Sequence, residues 1–248
     1  MASLELALSD MQTDITIADQ LKSTVKVCMF DQYGTVVDMQ TGLVEAATPF
    51  LQVKGWQGNP NSFVTWWRRA HFENSMIDAL LQREHTPYRE IGERSVAYVL
   101  DRAGISYTTS EVRALVEHIV RLQPFPEVPA ALERLRGRYR LVVLSNGDPD
   151  MLEAAKRYHG LAFEQTISVA VANSFKPHVA TYTRAAEIVG VAMDEVLFIA
   201  NHAFDCVGAK AAGMRTAFID RRQRPFGATP YRPDLLVRNM TALASLLA

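Results

Sequence analysis

Five short runs in this chain are apolar without alternation: "VKVCMF" (25–30), "YRLVVLS" (139–145), "EQTISVA" (164–170), "EVLFIA" (195–200) and "RTAFID" (215–220). A strand with one wet face alternates polar and apolar residues. A strand that does not alternate is covered on both faces. Between the later runs lie segments of helical spacing at 127–137, 149–159, 178–189 and 204–213. Parallel strands need a crossover, and a helix supplies it, so strand and helix in succession predict a parallel sheet with helices on both faces. The predicted class is α/β with a Rossmann-like parallel-sheet core.

The stretch from about 40 to 123 breaks that rhythm. It holds no convincing strand and reads as helices around 41–54, 60–83, 87–104 and 109–122. A helical block inserted after the first strand lies over the carboxyl ends of the strands, where open α/β sheets bind ligands. "MQTG" (39–42) reads as the outgoing linker, and "LQPFPEVP" (122–129), with three prolines, as the return. The expected organisation is an N-terminal extension over 1–22, a core from 23–40 and 124–248, and an inserted helical cap over 41–123.

Composition narrows the function. The 248 residues carry a formal net charge of −1, so no basic excess points to nucleic acid and no lysine-rich tract to an anionic membrane. No run reaches the length of a membrane span, and the first residues lack the basic and apolar regions of a signal peptide. Two cysteines, Cys28 and Cys206, make no disulfide framework and suit a reducing cytoplasm.

The ends of the predicted strands concentrate the chemistry. Asp31 follows the first run, with Tyr33 and Thr35 close behind in a Gly-containing tight loop. Ser145, Asn146 and Gly147 follow the second, Lys176 in "NSFKP" the third, and Asn201, His202 and Asp205 the fourth. Taken singly, Ser-Asn-Gly is a capped turn and Lys-Pro a loop before a helix. A carboxylate, a hydroxyl–amide pair, a cation and a second carboxylate at successive strand ends of one sheet point instead to a catalytic edge.

The order Asp-x-Tyr-Gly-Thr, Ser-Asn-Gly, Lys-Pro and a final Asp before "GAKAAGM" resembles the haloacid dehalogenase superfamily, and within it the L-2-haloacid dehalogenases (type II). The resemblance runs from about 25 to 240. It implies hydrolysis of short 2-haloalkanoic acids through an ester on Asp31, with no cofactor, no metal and a homodimeric assembly. It implies that Lys176 keeps Asp31 ionised and that Thr35 and Ser145 hydrogen-bond Asp31 or the substrate carboxylate. Asn146 becomes a carboxylate or positioning contact, Asp205 orients water or pairs with Lys176, and Tyr182 supports that network. Arg68, after Trp67 in "TWWRRAHFEN", matches the halide-binding arginine. A guanidinium and an indole N–H are both donors to an anion, although Trp66, Trp67 and Phe72 could equally pack a helix. Asn201 and Phe204 join the substrate- or halide-binding set. Tyr88 reads as a pocket-lining residue; His71, His85, His118 and His159 lack metal-ligand spacing.

Two departures separate the chain from the phosphatases of the superfamily. Those carry a second aspartate two residues after the nucleophile and further acids that hold Mg²⁺. Here Tyr33 takes the first place and Asn201 stands where a metal-binding acid belongs. A halide leaves as a weakly basic anion and needs neither. A phosphatase and a non-catalytic member of the fold are the rival readings. His202 stands where many relatives have Asn, and Ala200 where many have Ser. Three roles are open to His202: activating water, holding the leaving anion, or packing the loop.

Overall fold

The computed structural model describes residues 15–81 and 84–248. Helix α1 (15–24) buries Ala18 and Leu21 and leads into β1 (Val27–Phe30). The first fourteen residues of the expected extension lie outside the described residues. Four helices follow β1: α2 (Met39–Val53), α3 (Pro60–Leu81), α4 (Tyr88–Arg102) and α5 (Thr109–Glu117), the last running into a 3-10 turn at His118–Arg121. Strand and helix then alternate through α6 (Val128–Arg136), β2 (Arg140–Ser145), α7 (Pro149–His159), β3 (Gln165–Ser168), α8 (Val179–Val189), β4 (Val196–Ala200), α9 (Ala203–Ala211) and β5 (Arg215–Ile219). A short β6 (Leu235–Val237) and α10 (Met240–Leu247) close the chain.

All strand pairs are parallel, in the order β3-β2-β1-β4-β5-β6. β1 is central and buried at every residue, which is why its sequence does not alternate. Phe30 stands level with Val143 on one side and Ile199 on the other, so residues just beyond these three strand ends emerge side by side.

Local chemistry moved several boundaries. The "MQTG" segment is the first turn of α2, not a linker, because the Asp38 carboxylate accepts from the Thr41 N–H (3.1 Å) and hydroxyl (2.8 Å) and starts the helix there. The third strand stops at Ser168, whose hydroxyl accepts from the Ala170 N–H (3.2 Å) and turns the chain into a 3-10 turn. The Thr108–Glu111 capping box opens α5. No described helix is long and apolar enough to cross a membrane.

The helices between β1 and β2 are tied to the strand edge. Asp148, after β2, accepts from the N–H groups of Tyr88 (2.7 Å) and Arg89 (2.9 Å), the first two residues of α4. These amides have no partner within their own helix, so a residue that follows β2 caps a helix that lies between β1 and β2 in the chain. Arg89 adds an ion pair to Asp150 at 2.8 Å, Phe72 packs on Phe204 at 4.3 Å, and Tyr88 stacks on Tyr33 at 5.6 Å.

Candidate active site

The loop after β1 sets the floor of the site. Asp31 is buried, and its two oxygens have different partners. Oδ1 accepts from Lys176 Nζ at 2.8 Å; Oδ2 accepts from the Thr35 hydroxyl at 2.7 Å, with His202 Nδ1 at 3.4 Å. Thr35 is itself held, because its oxygen accepts from the Asn201 N–H at 2.9 Å. Gly34 turns the loop at φ 85, a left-handed conformation that a side chain rarely adopts.

Lys176 spends all three of its N–H donors: on Asp31, on Asp205 Oδ2 at 2.7 Å and on the Leu144 carbonyl at 3.1 Å. The other oxygen of Asp205 accepts from the Tyr182 hydroxyl at 2.5 Å. Two carboxylates and one ammonium are therefore buried together with every ammonium proton and every carboxylate oxygen given a partner, the condition under which buried charge is tolerated. Burial works to raise the Asp31 pKa, but the attraction of Lys176 and the bonds from His202 and Lys176 outweigh it and hold the carboxyl well below its ordinary range. For Asp205 burial wins, with repulsion from Asp31 added, and its pKa is raised. Burial would deprotonate Lys176, yet the two carboxylates override it and raise its pKa. Asp31 is thus kept as a carboxylate by a fixed cation.

This floor faces a cavity of about 490 Å³ between the strand ends and α3 and α4. Asp31, Tyr33, Asn146, Lys176, His202 and Phe204 reach it from the core, and Arg68, His71, Phe72 and Tyr88 from the inserted helices. A Cβ on Gly34 would lie 3.1 Å from the His202 ring and 3.4 Å from Arg68 Nη2, so His202 and Arg68 flank the same backbone point beside Asp31. Arg68 Nη1 donates to Gln40 Oε1 at 2.7 Å, and Gln40 Nε2 donates to Asn61 Oδ1 at 2.8 Å, which fixes the guanidinium from behind. Burial and the charge of Arg222 push the Arg68 pKa down to about 10, still leaving it cationic at neutral pH. His71 is pushed down to about 3 by burial, against the opposing bond to Tyr88. A carbonyl can only accept, so Nε2 carries the hydrogen toward Tyr88 O (3.0 Å) and Nδ1 remains a bare acceptor.

The residues expected from the sequence divide into three groups. Asp31, Thr35, Lys176, Asp205, Tyr182, Asn146 and His202 form one contiguous network, with Asn146 Oδ1 accepting from the Lys176 backbone N–H at 3.0 Å. Tyr33, Arg68 and Phe204 line the cavity above it. Burial raises the Tyr33 pKa well above that of a free phenol, so it stands there as a neutral phenol. Ser145 is placed differently: its hydroxyl oxygen accepts from the Gly147 N–H at 3.2 Å, within its own turn. Trp67 is wholly buried in α3, does not line the cavity, and its indole N–H has no partner among the described residues. Asn201 enters through its backbone, not its side chain. Gln40, Asp148 and Arg222 were not anticipated, and His71 was read only as a histidine without metal-ligand spacing. They come from segments far apart in the chain that no sequence pattern joins. Among the described residues no group of three or more His, Cys, Asp or Glu side chains forms a metal-ligand set, and the space between Asp31 and Asp205 is filled by the Lys176 ammonium.

A parallel α/β sheet whose carboxyl edge presents an ionised aspartate to a helix-covered cavity suits nucleophilic chemistry at that carboxylate. The family model of haloacid dehalogenase-like hydrolases matches residues 25–213, and the chain belongs to that family. It is 30% identical to haloacetate dehalogenase H-2 of Moraxella sp. (strain B) over 227 residues, 90% of this chain and 98% of that protein. It is 33% identical to an (S)-2-haloacid dehalogenase of Xanthobacter autotrophicus over 199 residues, 79% of this chain and 76% of that protein. The solved structure of the L-2-haloacid dehalogenase from Xanthobacter autotrophicus with chloropropionic acid covalently bound matches it with a TM-score of 0.79 at 27% identity, covering 90% of this chain and 98% of that one.

Proposed function

We propose that the protein is a hydrolytic dehalogenase of short 2-haloalkanoic acids, haloacetates and acids of the L-2-chloropropionate type, working through an ester on Asp31. The observation that carries this reading is the state of Asp31: ionised, fixed by Lys176 and Thr35, and open to a cavity that also holds Arg68.

The chemistry has two steps. A carboxylate oxygen of Asp31 attacks Cα of the substrate in line with the carbon–halogen bond. The new C–O bond forms as the halide departs with the bonding pair, and Cα inverts once. Charge builds on the halogen in that transition state, and the Arg68 fork, held by Gln40, suits it. Water then attacks the carboxyl carbon of the ester. Its oxygen stays in Asp31, its protons pass to the leaving alkoxide and to solvent, and the 2-hydroxy acid leaves with the oxygen Asp31 brought. A halide leaving group needs no acid, so Tyr33 at the position two residues on is consistent with carbon, not phosphorus, as the electrophile. His202 Nδ1, 3.4 Å from Asp31 Oδ2, is within one water of the ester carbon and supports a role in the second step.

Single turnover in ¹⁸O-labelled water with enzyme in excess tests the reading. Label is expected in the peptide containing Asp31. Label only in the product on the first turnover indicates direct attack by water and refutes it.

The wider reading takes 23–40 and 124–248 as core and 41–123 as cap. It places the enzyme in the cytoplasm, where the two buried free cysteines stay reduced. It also takes a homodimer, consistent with the exposed Ile77, Leu80 and Leu81 on α3.

A further inference from the structure

Among the described residues, two guanidinium groups that line the cavity have no fixed partner. Lys176 lies between Asp31 and Asp205, two carboxylates against one ammonium, and Arg69 pairs with Glu73 at 2.7 Å. Among the described residues, Arg68 has only the Gln40 amide oxygen as a hydrogen-bond partner. Beyond it, Arg222 and Arg224 reach the same cavity from the loop after β5, and among the described residues neither guanidinium has an ion pair or a side-chain hydrogen bond. Their neighbour Arg221 points elsewhere: it pairs with Glu127 at 2.6 Å, donates to the Thr35 carbonyl and stacks on Phe125. One residue of the loop thus builds structure while two are left with free forks.

The backbone between them is unusual. Gln223 adopts a left-handed conformation (φ 50), uncommon outside glycine and costly for a long side chain. The chain turns there, and the arginines on either side both line the cavity. Arg68 feels the charge of Arg222, and Arg222 that of Arg224, while Asp38, whose carboxylate caps α2, acts on both Arg68 and Arg222; Arg68 is half-buried, and Arg222 and Arg224 are exposed. Space points the same way. A haloacetate occupies on the order of 100 Å³, the room of a few waters, against about 490 Å³ in the cavity.

We propose that Arg222 and Arg224 form a subsite for a second carboxylate, so that the protein accepts 2-haloacids bearing a distal carboxylate, of the halosuccinate type. This rests on the dehalogenase reading of the Asp31 site. The distal carboxylate meets a planar fork with which it can form paired hydrogen bonds, while the carbon–halogen bond stays over Asp31.

The test compares (S)-2-chlorosuccinate with its isostere in which the distal carboxylate is a carboxamide, and with chloroacetate, in the wild-type protein and in Arg222→Gln, Arg224→Gln and the double variant. The wild-type protein is expected to favour the diacid over the amide by about tenfold in kcat/KM, the worth of one good charge-assisted contact. The double variant is expected to bring that ratio close to one. Equal kcat/KM for diacid and amide in a wild-type protein that turns over chloroacetate overturns the subsite and leaves the dehalogenase reading standing. So does turnover of chloroacetate with neither four-carbon acid accepted. An equal loss for all three substrates in the variants shows only a general attraction of anions, which also overturns it. Failure of the wild-type protein to release chloride from any of them refutes the dehalogenase reading itself.

Discussion

Replacing Lys176 by Met removes the cation from between two carboxylates and leaves the stem volume in place. Asp31 Oδ1 and Asp205 Oδ2 lie 2.8 and 2.7 Å from the ammonium nitrogen, so they are at most about 5.5 Å apart. At an effective dielectric of ~20, each contact to the ammonium is worth about 6 kcal/mol of gross Coulomb attraction, and the two carboxylates alone repel by about 3 kcal/mol. That repulsion equals about two pKa units, which lifts a carboxyl of the pair from an ordinary ~3.9 to ~6 before burial adds its own upward push. The variant is therefore expected to hold one proton on the pair near neutrality. In the wild-type protein Asp31 is held below the ordinary range, so kcat/KM for chloroacetate should show no acid limb from it down to about pH 4. Lys176→Met should show a limb at about pH 6 or above, an apparent value that belongs to the pair. Stability carries the same sign. A carboxyl whose folded pKa is raised binds more protons in the folded state, so the variant should lose stability as pH rises from 5 to 8, and at neutral pH should sit about 3–5 kcal/mol below wild type. Halide release across pH and urea unfolding at two pH values read both effects. A Lys176→Met protein with wild-type rates and a flat profile to pH 4 would refute the claim that this ammonium keeps Asp31 ionised.

Four further outcomes follow from the geometry. Arg68→Lys and Arg68→Ala should both lose kcat by tenfold or more with a smaller change in KM, because the fork serves charge that develops only in the transition state; steady-state kinetics with near-normal kcat in both returns Arg68 to packing. His202→Ala should give a burst of halide followed by slow turnover as the Asp31 ester accumulates, seen by rapid quench and intact mass; slow first release without a burst assigns the ring to the leaving halide instead. Dialysis against chelator should leave halide release unchanged, since the ammonium holds the place between the two carboxylates; activity lost and restored by Mg²⁺ contradicts this. Asp148→Ala should lower stability by about 0.5–2 kcal/mol by uncapping α4, measured as a lower urea midpoint; an unchanged midpoint means the cap contributes nothing.

The strand-rich core was legible because burial on both faces of β1, β2, β4 and β5 requires unbroken apolar runs, and such runs are visible in one dimension. Asp31, Lys176 and Asp205 were legible for a related reason. In a parallel sheet all carboxyl ends lie on one edge, so polar residues just past each apolar run must come together. β6, three residues long with an exposed middle residue, and α10 after it left no comparable pattern. Side-chain direction was also beyond reach. Trp67 and Arg68 are adjacent in α3, yet one is sealed in the helix packing and the other faces the cavity, a difference of about 100° around the helix axis that depends on where the helix docks. Ser145 and Asn146 separate in the same way, one bonding within its turn and the other fixing the Lys176 loop. The order of elements from β1 to β5 and the gathering of Asp31, Lys176 and Asp205 at one sheet edge were thus determined by sequence alone, since they follow from periodicity and strand polarity. The partners of each charge, the Gln40 brace behind Arg68 and the arrival of Arg222 and Arg224 at the cavity were decided only by tertiary structure, because they depend on distances between segments that the chain order does not encode.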